Sequence, residues 1–206
     1  MSENIAIKSI QNCINHYDRL IDENNDAVRD PDILREHMNK WDGECFFNVL
    51  ELTKEKIVLE IGIGTGRIAV KTAPHCAKLY GIDVSRKTIE RAKENLDFAD
   101  NVVYILSDYL EYDFDTKFDV IYSSLTLLHI ENKWSFFKKV FEDLKQDGRF
   151  VLSIDDNQDD FLDMGVYRVR IYPDNPADTE DGLLKAGFAI ENIIETECAH
   201  IFVCTK

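Results

Sequence analysis

The stretch Val58-Leu59-Glu60-Ile61-Gly62-Ile63-Gly64-Thr65-Gly66-Arg67 decides the fold. An apolar run carrying one acid enters three alternating glycines, and a helical pattern begins at Arg67. That order reads as a strand turning abruptly into a helix, the opening of a βαβ unit. Glycine permits the sharp turn and leaves room for a ligand to reach the backbone where a Cβ would stand. A turn that binds nothing would use the same residues, so the neighbours must discriminate. The spacing is GxGxG, and Arg67 stands where GxGxxG has its third glycine, which argues against a dinucleotide. Glu60, just ahead of the turn, disfavours a pyrophosphate. Further on, Gly81-Ile82-Asp83-Val84-Ser85 sets Asp83 at the end of another apolar run, 23 residues after Glu60. Asp83 can accept from ribose hydroxyls, or it can cap the next helix, a task Ser85 could take instead.

From residue 56 onward short apolar runs alternate with helical periods. Strands are expected over 57–61, 79–82, 102–106, 118–122 and 150–154, with helices near 67–72, 85–96 and 134–144. In the last of these helices Trp134, Phe137, Val140, Phe141 and Leu144 form the inward face. Such alternation gives parallel strands with helices on both faces of the sheet. A helix over 182–186 ends at Gly187. The runs 188–195 and 199–204 lie too close together for a parallel crossover, so they form an antiparallel hairpin at the sheet edge. Residues 156–177 have an irregular pattern. The first fifty residues read as helical: Ile10, Cys13, Ile14, Tyr17, Leu20 and Ile21 share one face. Asp30-Pro31 reads as an N-cap followed by proline at the first helical position, with Ile33, Leu34, Met38 and Trp41 continuing a stripe.

The chain has 206 residues, 45% hydrophobic and 31% charged, an ordinary balance for one domain. No stretch approaches the roughly 20 apolar residues of a membrane span, and the N-terminus lacks the pattern of a signal peptide. A cytoplasmic protein is expected. Its five cysteines have no CxxC spacing, so free thiols are expected rather than disulfides or zinc. With 39 acidic and 24 basic residues the net charge is -15, which repels nucleic acid and leaves a small molecule as the better partner. Oligomeric state is not encoded in any visible pattern.

Taken in order, these segments resemble the class I S-adenosylmethionine-dependent methyltransferases, small-molecule type, over about residues 55–206. LEIGIGTGR is similar to the family's first motif and GIDVS to its second. Ser107-Asp108-Tyr109 resembles the segment that holds the adenine, and FDVIYSSLTLLHI the fourth-strand motif that faces the transferred methyl. LKQDGRFVLSI and LLKAGFAIENI look like the turns into strands five and six. The resemblance implies a Rossmann-like α/β fold: a doubly wound, mostly parallel seven-stranded sheet with an antiparallel C-terminal hairpin. It implies one domain, with residues 1–54 as a helical lid on a core of 55–206. It implies S-adenosylmethionine as cofactor, with Glu60, Gly62, Gly64, Gly66, Asp83, Val84, Asp108, Tyr109, Ser123, Ser124, Leu125 and Tyr17 around it. Glu60 suits its ammonium and sulfonium; Asp108 would accept from the exocyclic amine, though it can also serve as a turn residue.

Methyl transfer from a sulfonium is an in-line displacement, and a general base is needed only for an acceptor that arrives protonated. His129 follows the fourth strand on the carboxyl edge of the sheet and is the candidate base; it could equally orient the helix after Asn132. Trp41, Arg168, Arg170 and Tyr172 are candidate acceptor contacts, with an arginine able to clamp a carboxylate or phosphate. Tyr17 and Trp41 could instead be core, and the arginines could pair with surface acids. The fourth strand ends Ser123-Ser124-Leu125-Thr126, unlike the NPPY type that methylates planar nitrogens, and no metal cluster supports a catechol type. A non-catalytic cofactor-binding regulatory module, or less readily an NAD-dependent oxidoreductase, would share the glycine turn. The acceptor atom is not legible.

Overall fold

The computed structural model describes residues 2–206, with side chains from residue 10 onward. Three helices come first: α1 (Ser2–Asp22), α2 (Asp32–Met38) and α3 (Gly43–Asn48). Alternating elements follow: β1 (Ile57–Ile61), α4 (Ala69–Thr72), β2 (Lys78–Asp83), α5 (Arg86–Asn95), β3 (Val102–Leu106), β4 (Phe118–Ser124), α6 (Lys133–Asp143) and β5 (Leu144–Asp155). The chain closes with β6 (Phe161–Asp163), β7 (Arg168–Arg170), α7 (Pro176–Ala186), β8 (Ala189–Glu195) and β9 (Ala199–Thr205).

Seven strands form one sheet in the order β3-β2-β1-β4-β5-β9-β8. The pairs among β1 to β5 are parallel, while β9 runs antiparallel to both β5 and β8. This is the expected seven-stranded, mostly parallel Rossmann-like sheet, with β9 slotted inside the edge and β8 forming it. The strand order reverses at β1, which has β2 on one side and β4 on the other. Ligands of open α/β sheets bind at such a switch point, beyond the carboxyl ends of the strands.

Successive strand residues face opposite layers, as the period of two requires. Leu59, Ile121 and Phe202 pack toward α6 and α7 with Phe136, Phe137, Val140 and Leu183. Val58, Val120, Tyr122 and Val203 pack toward α3, α4 and α5 with Phe46, Ala69, Ile89 and Ala92. Both faces are covered, so the central strands read as nearly continuous apolar runs.

The structure corrects several sequence expectations. Ile33 and Leu34 are 74% and 50% exposed, and the short α2 buries no residue. Pro31 occupies the N-cap of α2 rather than its first turn, one residue from the expected place. Trp134 is 42% exposed because it stands at the open cavity in the first turn of α6, and its ring meets the Lys185 ammonium at 4.9 Å. Phe136, absent from the expected stripe, is fully buried instead. Residues 161–170, within the segment of irregular pattern, hold the β6–β7 hairpin.

Phe136 touches Tyr109, Phe137 and Phe150 across the core. Phe136→Ala should therefore cost about 3–5 kcal/mol. Urea unfolding should show a lower midpoint with an unchanged slope; a loss under about 1 kcal/mol would contradict this packing.

Candidate active site

A cavity of about 1110 Å³ opens at the switch point, between the carboxyl ends of β1, β2 and β4 and the overlying α1. The glycine turn forms its floor. Gly62 has φ +77, and a Cβ there would lie 2.1 Å from Thr126 Oγ1, so only glycine lets the turn settle against the loop after β4. Gly64 has φ +53, and a Cβ there would meet nothing within 4 Å, so its exposed backbone faces open cavity. Gly66 does not line the cavity; a Cβ there would lie 3.0 Å from Leu96, so its bareness sets how closely the end of α5 packs.

Asp83 takes hydrogen bonds from the Gly64 amide at 2.9 Å, the Ser85 amide at 2.9 Å and the Thr88 hydroxyl at 3.2 Å. Burial pushes its carboxyl above the usual range even so. Ser85 caps α5 through the Thr88 amide, leaving Asp83 to brace the glycine turn. A carboxylate offers about four acceptor positions, so one remains for a ligand hydroxyl. Asp108 takes the Leu110 amide on Oδ1 at 2.9 Å and lines the same cavity, as does Val84.

Glu60 is buried and accepts the Tyr122 hydroxyl at 2.9 Å. Burial pushes its carboxyl up to about 8, so it is largely protonated at neutral pH; a cation arriving beside it would pull that value down. Tyr109 lines the cavity, but not with its hydroxyl. Its phenol turns into the core, donates to Asp143 at 3.0 Å and packs on Phe136, because an apolar ring beneath α6 is better buried than wet. Ser123 is likewise fully buried, donating to the Ile61 carbonyl, and does not reach the cavity. Leu125 does, with φ +53, a conformation costing a β-carbon residue about 1 kcal/mol or more.

The α1 helix roofs the cavity and is tied down from several sides. The Tyr17 hydroxyl and His129 Nε2 share a hydrogen bond of 2.8 Å. Ser85 donates to Asp18 at 2.7 Å, and His16 bonds the Tyr167 hydroxyl at 2.9 Å. Burial lowers the His129 imidazole from 6.5 to about 4, which corrects the expectation of titration near neutral pH. Its Nδ1 is buried with no partner among the described residues.

Trp41, Arg168 and Arg170 do not line the cavity. The Trp41 indole donates to Asp155 at 3.2 Å and stacks edge-on against His37. Arg168 pairs with Asp163 and lies over Phe161, while Arg170 lies over Tyr172, both held by their own hairpin and loop. Tyr172 is at the cavity wall, its hydroxyl donating to Glu131 at 3.3 Å.

A cluster not anticipated from sequence joins three segments. Arg67 forks onto Asp42 with 2.8 and 2.6 Å bonds, and the Ser124 hydroxyl donates to the same carboxylate at 2.6 Å. Asp42 also caps α3. The signal available was an arginine on the glycine turn, which must be neutralised if buried, but its partner lies 25 residues back. Among the described residues no group of three or more His, Cys, Asp or Glu could hold a metal ion. Nor is any described helix long and apolar enough to cross a membrane.

A 3-2-1-4-5 parallel core with an inserted antiparallel strand, a bare glycine turn and an acid after β2 define a Rossmann-like methyltransferase architecture. Residues 59–152 match the methyltransferase domain family. Solved structures with this fold include an S-adenosylmethionine-dependent methyltransferase from Mesorhizobium loti, with TM-score 0.67, 17% identity, and 80% of this chain and 97% of that one covered. Another is the N-methyltransferase NodS from Bradyrhizobium japonicum in complex with S-adenosylhomocysteine, with TM-score 0.69, 18% identity, and 95% and 98% covered. The stretch matched to the domain family is a little under half of the chain, and it is similar to the class I S-adenosylmethionine-dependent methyltransferases. Among curated relatives, malonyl-[acyl-carrier protein] O-methyltransferase 1 of Ilyobacter polytropus is 30% identical over 103 residues, 48% of this chain and 38% of that protein. The 27-O-demethylrifamycin SV methyltransferase of Amycolatopsis mediterranei is 31% identical over 100 residues, 46% and 37%. The match thus spans well under half the length of these relatives.

Asp42→Ala would leave Arg67 partly buried without its partner. A loss of about 3–5 kcal/mol is expected in chemical denaturation. Loss within experimental error would show that the Asp42–Arg67 pair does not hold the N-terminal helices to the turn.

Proposed function

We propose that this protein transfers a methyl group from S-adenosylmethionine to a small-molecule acceptor. The observation that carries this reading is the open backbone at Gly64, flanked by Asp83 and faced across one cavity by Asp108. Asp83 would take a ribose hydroxyl and Asp108 the adenine amine. The backbone at 62–64, with Ser124 and Leu125, would hold the methionine end, and Glu60 would answer its positive charge. When bound, the cofactor supplies a methyl already activated by a positive sulfur.

The chain's own task is alignment. Fixing two reactants at close range can remove roughly 7–11 kcal/mol of barrier in favourable systems. The cavity, at about 1110 Å³, exceeds the roughly 300–1,000 Å³ that takes one drug-sized ligand, so an acceptor has room beside the cofactor. The helices before residue 55 would act as a lid on the core of 55–206, with α1 closing over the ligands and excluding water. His129, neutral and bonded to Tyr17, would fix that hydroxyl at the cavity wall and serve as a weak acceptor for a departing proton. The relatives are named for acceptors as different as a malonyl carrier protein and a rifamycin, so their names do not choose one here. The net charge of -15 disfavours a polyanionic acceptor.

Calorimetry should show binding of S-adenosylhomocysteine and none of NAD; the reverse result overturns the reading. Asp83→Ala should weaken S-adenosylhomocysteine by about tenfold or more, a charged hydrogen bond being worth about 1.5–3 kcal/mol. Full affinity in a folded variant would remove Asp83 from the site. If His129 accepts the proton, the acid limb of kcat/KM should fall near pH 4, since the free enzyme's imidazole is depressed to about 4 from 6.5. A limb at 6.5 that persists in His129→Ala would assign the titration to another group.

A further inference from the structure

We propose that the acceptor is an amine-bearing molecule with an apolar body, and that the cavity wall rejects acceptors carrying phosphate or carboxylate. This rests on the methyl-transfer reading above and deepens it.

The cations come first. Among the described residues Arg67, Lys133 and His129 are the basic side chains that line the cavity. Arg67 is forked onto Asp42, whose side chain is 3% exposed. Turning that fork toward an anionic ligand would strand a buried carboxylate. Lys133 has three donors, and all three are used, by the carbonyls of Leu127 at 2.7 Å and Tyr172 at 2.8 Å and by the Asp174 carboxylate. The His129 ring stays neutral at ordinary pH because of its burial. No described cation at the wall has a charge uncommitted, and recognition of phosphate or carboxylate depends on such a charge.

The acids show the opposite. Asp108, Glu111 and Glu131 line the same cavity, and none forms an ion pair with a described residue. With Asp108 assigned to the adenine, Glu111 and Glu131 remain. Glu131 receives the Tyr172 hydroxyl at 3.3 Å and shares its part of the wall with Trp134. Lys185 already lies over the Trp134 ring and Arg170 over the Tyr172 ring, so it is the Glu131 carboxylate, by charge, that would receive an ammonium group. The roof is apolar, with Ile10, Cys13, Leu20 and Ile21 from α1 and Met38 at the end of α2, so the body of the ligand should be apolar too.

The test uses the full chain saturated with S-adenosylhomocysteine. Calorimetry compares 2-phenylethylamine, 3-phenylpropionate and phenyl phosphate, which share a ring and differ in charge. The amine should bind about tenfold or more tighter than either anion, since like charges brought together cost several kcal/mol. Glu131→Gln should narrow that ratio. Equal or tighter binding of an anion, or no binding of any of the three, overturns the proposal, as does an unchanged ratio in Glu131→Gln. If S-adenosylhomocysteine itself fails to bind, the methyl-transfer reading falls; the same three compounds titrated into the unliganded protein still read the charge preference.

Discussion

The contact between Gly62 and Thr126 is the constraint on which the cavity depends. A Cβ at position 62 would occupy the space of the Thr126 side chain, so the turn after β1 and the loop after β4 can approach only because a hydrogen stands there. That approach sets Gly64 with its bare backbone toward the cavity, where its amide meets Asp83 from β2. Three neighbouring strand ends are thereby locked into one rim. The reversal of strand order at β1 opens the crevice, and the absence of side chains keeps it open.

Charge is distributed around that rim by partnership rather than by number. Arg67 and Lys133 stand at the wall, yet each is spent on a buried carboxylate, Asp42 and Asp174. Glu60 sits in so dry a place that it favours its proton, and a positive ligand would reverse that preference. The wall is therefore poised for positive or neutral chemistry, although two of its most visible side chains are cationic.

The roof is a different kind of structure. The α1 helix meets the core through single polar contacts, Tyr17 to His129, Asp18 to Ser85 and Asp22 to Lys87, and through Arg19 stacked on Tyr167. The sheet instead is held by continuous ladders and two apolar layers. Of these contacts the Asp22–Lys87 pair is an exposed ion pair and contributes little by itself, while the Tyr17–His129 and Asp18–Ser85 bonds are partly buried.

Local pattern was enough for the strand–helix alternation, the glycine turn, the C-terminal hairpin and the acids after β2 and β3, because each depends on spacing within a few residues. Side-chain direction was less legible. Trp134 and Phe136 exchanged the roles that periodicity gave them, and Tyr109 turned into the core, since helix ends and short turns obey the space around them. Trp41, Arg168 and Arg170 looked functional by type, yet partners from nearby segments hold them away from the cavity. By itself the sequence determined that β1 ends in a bare turn followed by an acid 23 residues later, because those are properties of the chain read in order. Only the tertiary structure decided that Asp42 neutralises Arg67, that Tyr17 reaches His129 and which carboxylates lack an ion pair among the described residues, because the first two contacts join residues 25 and 112 positions apart.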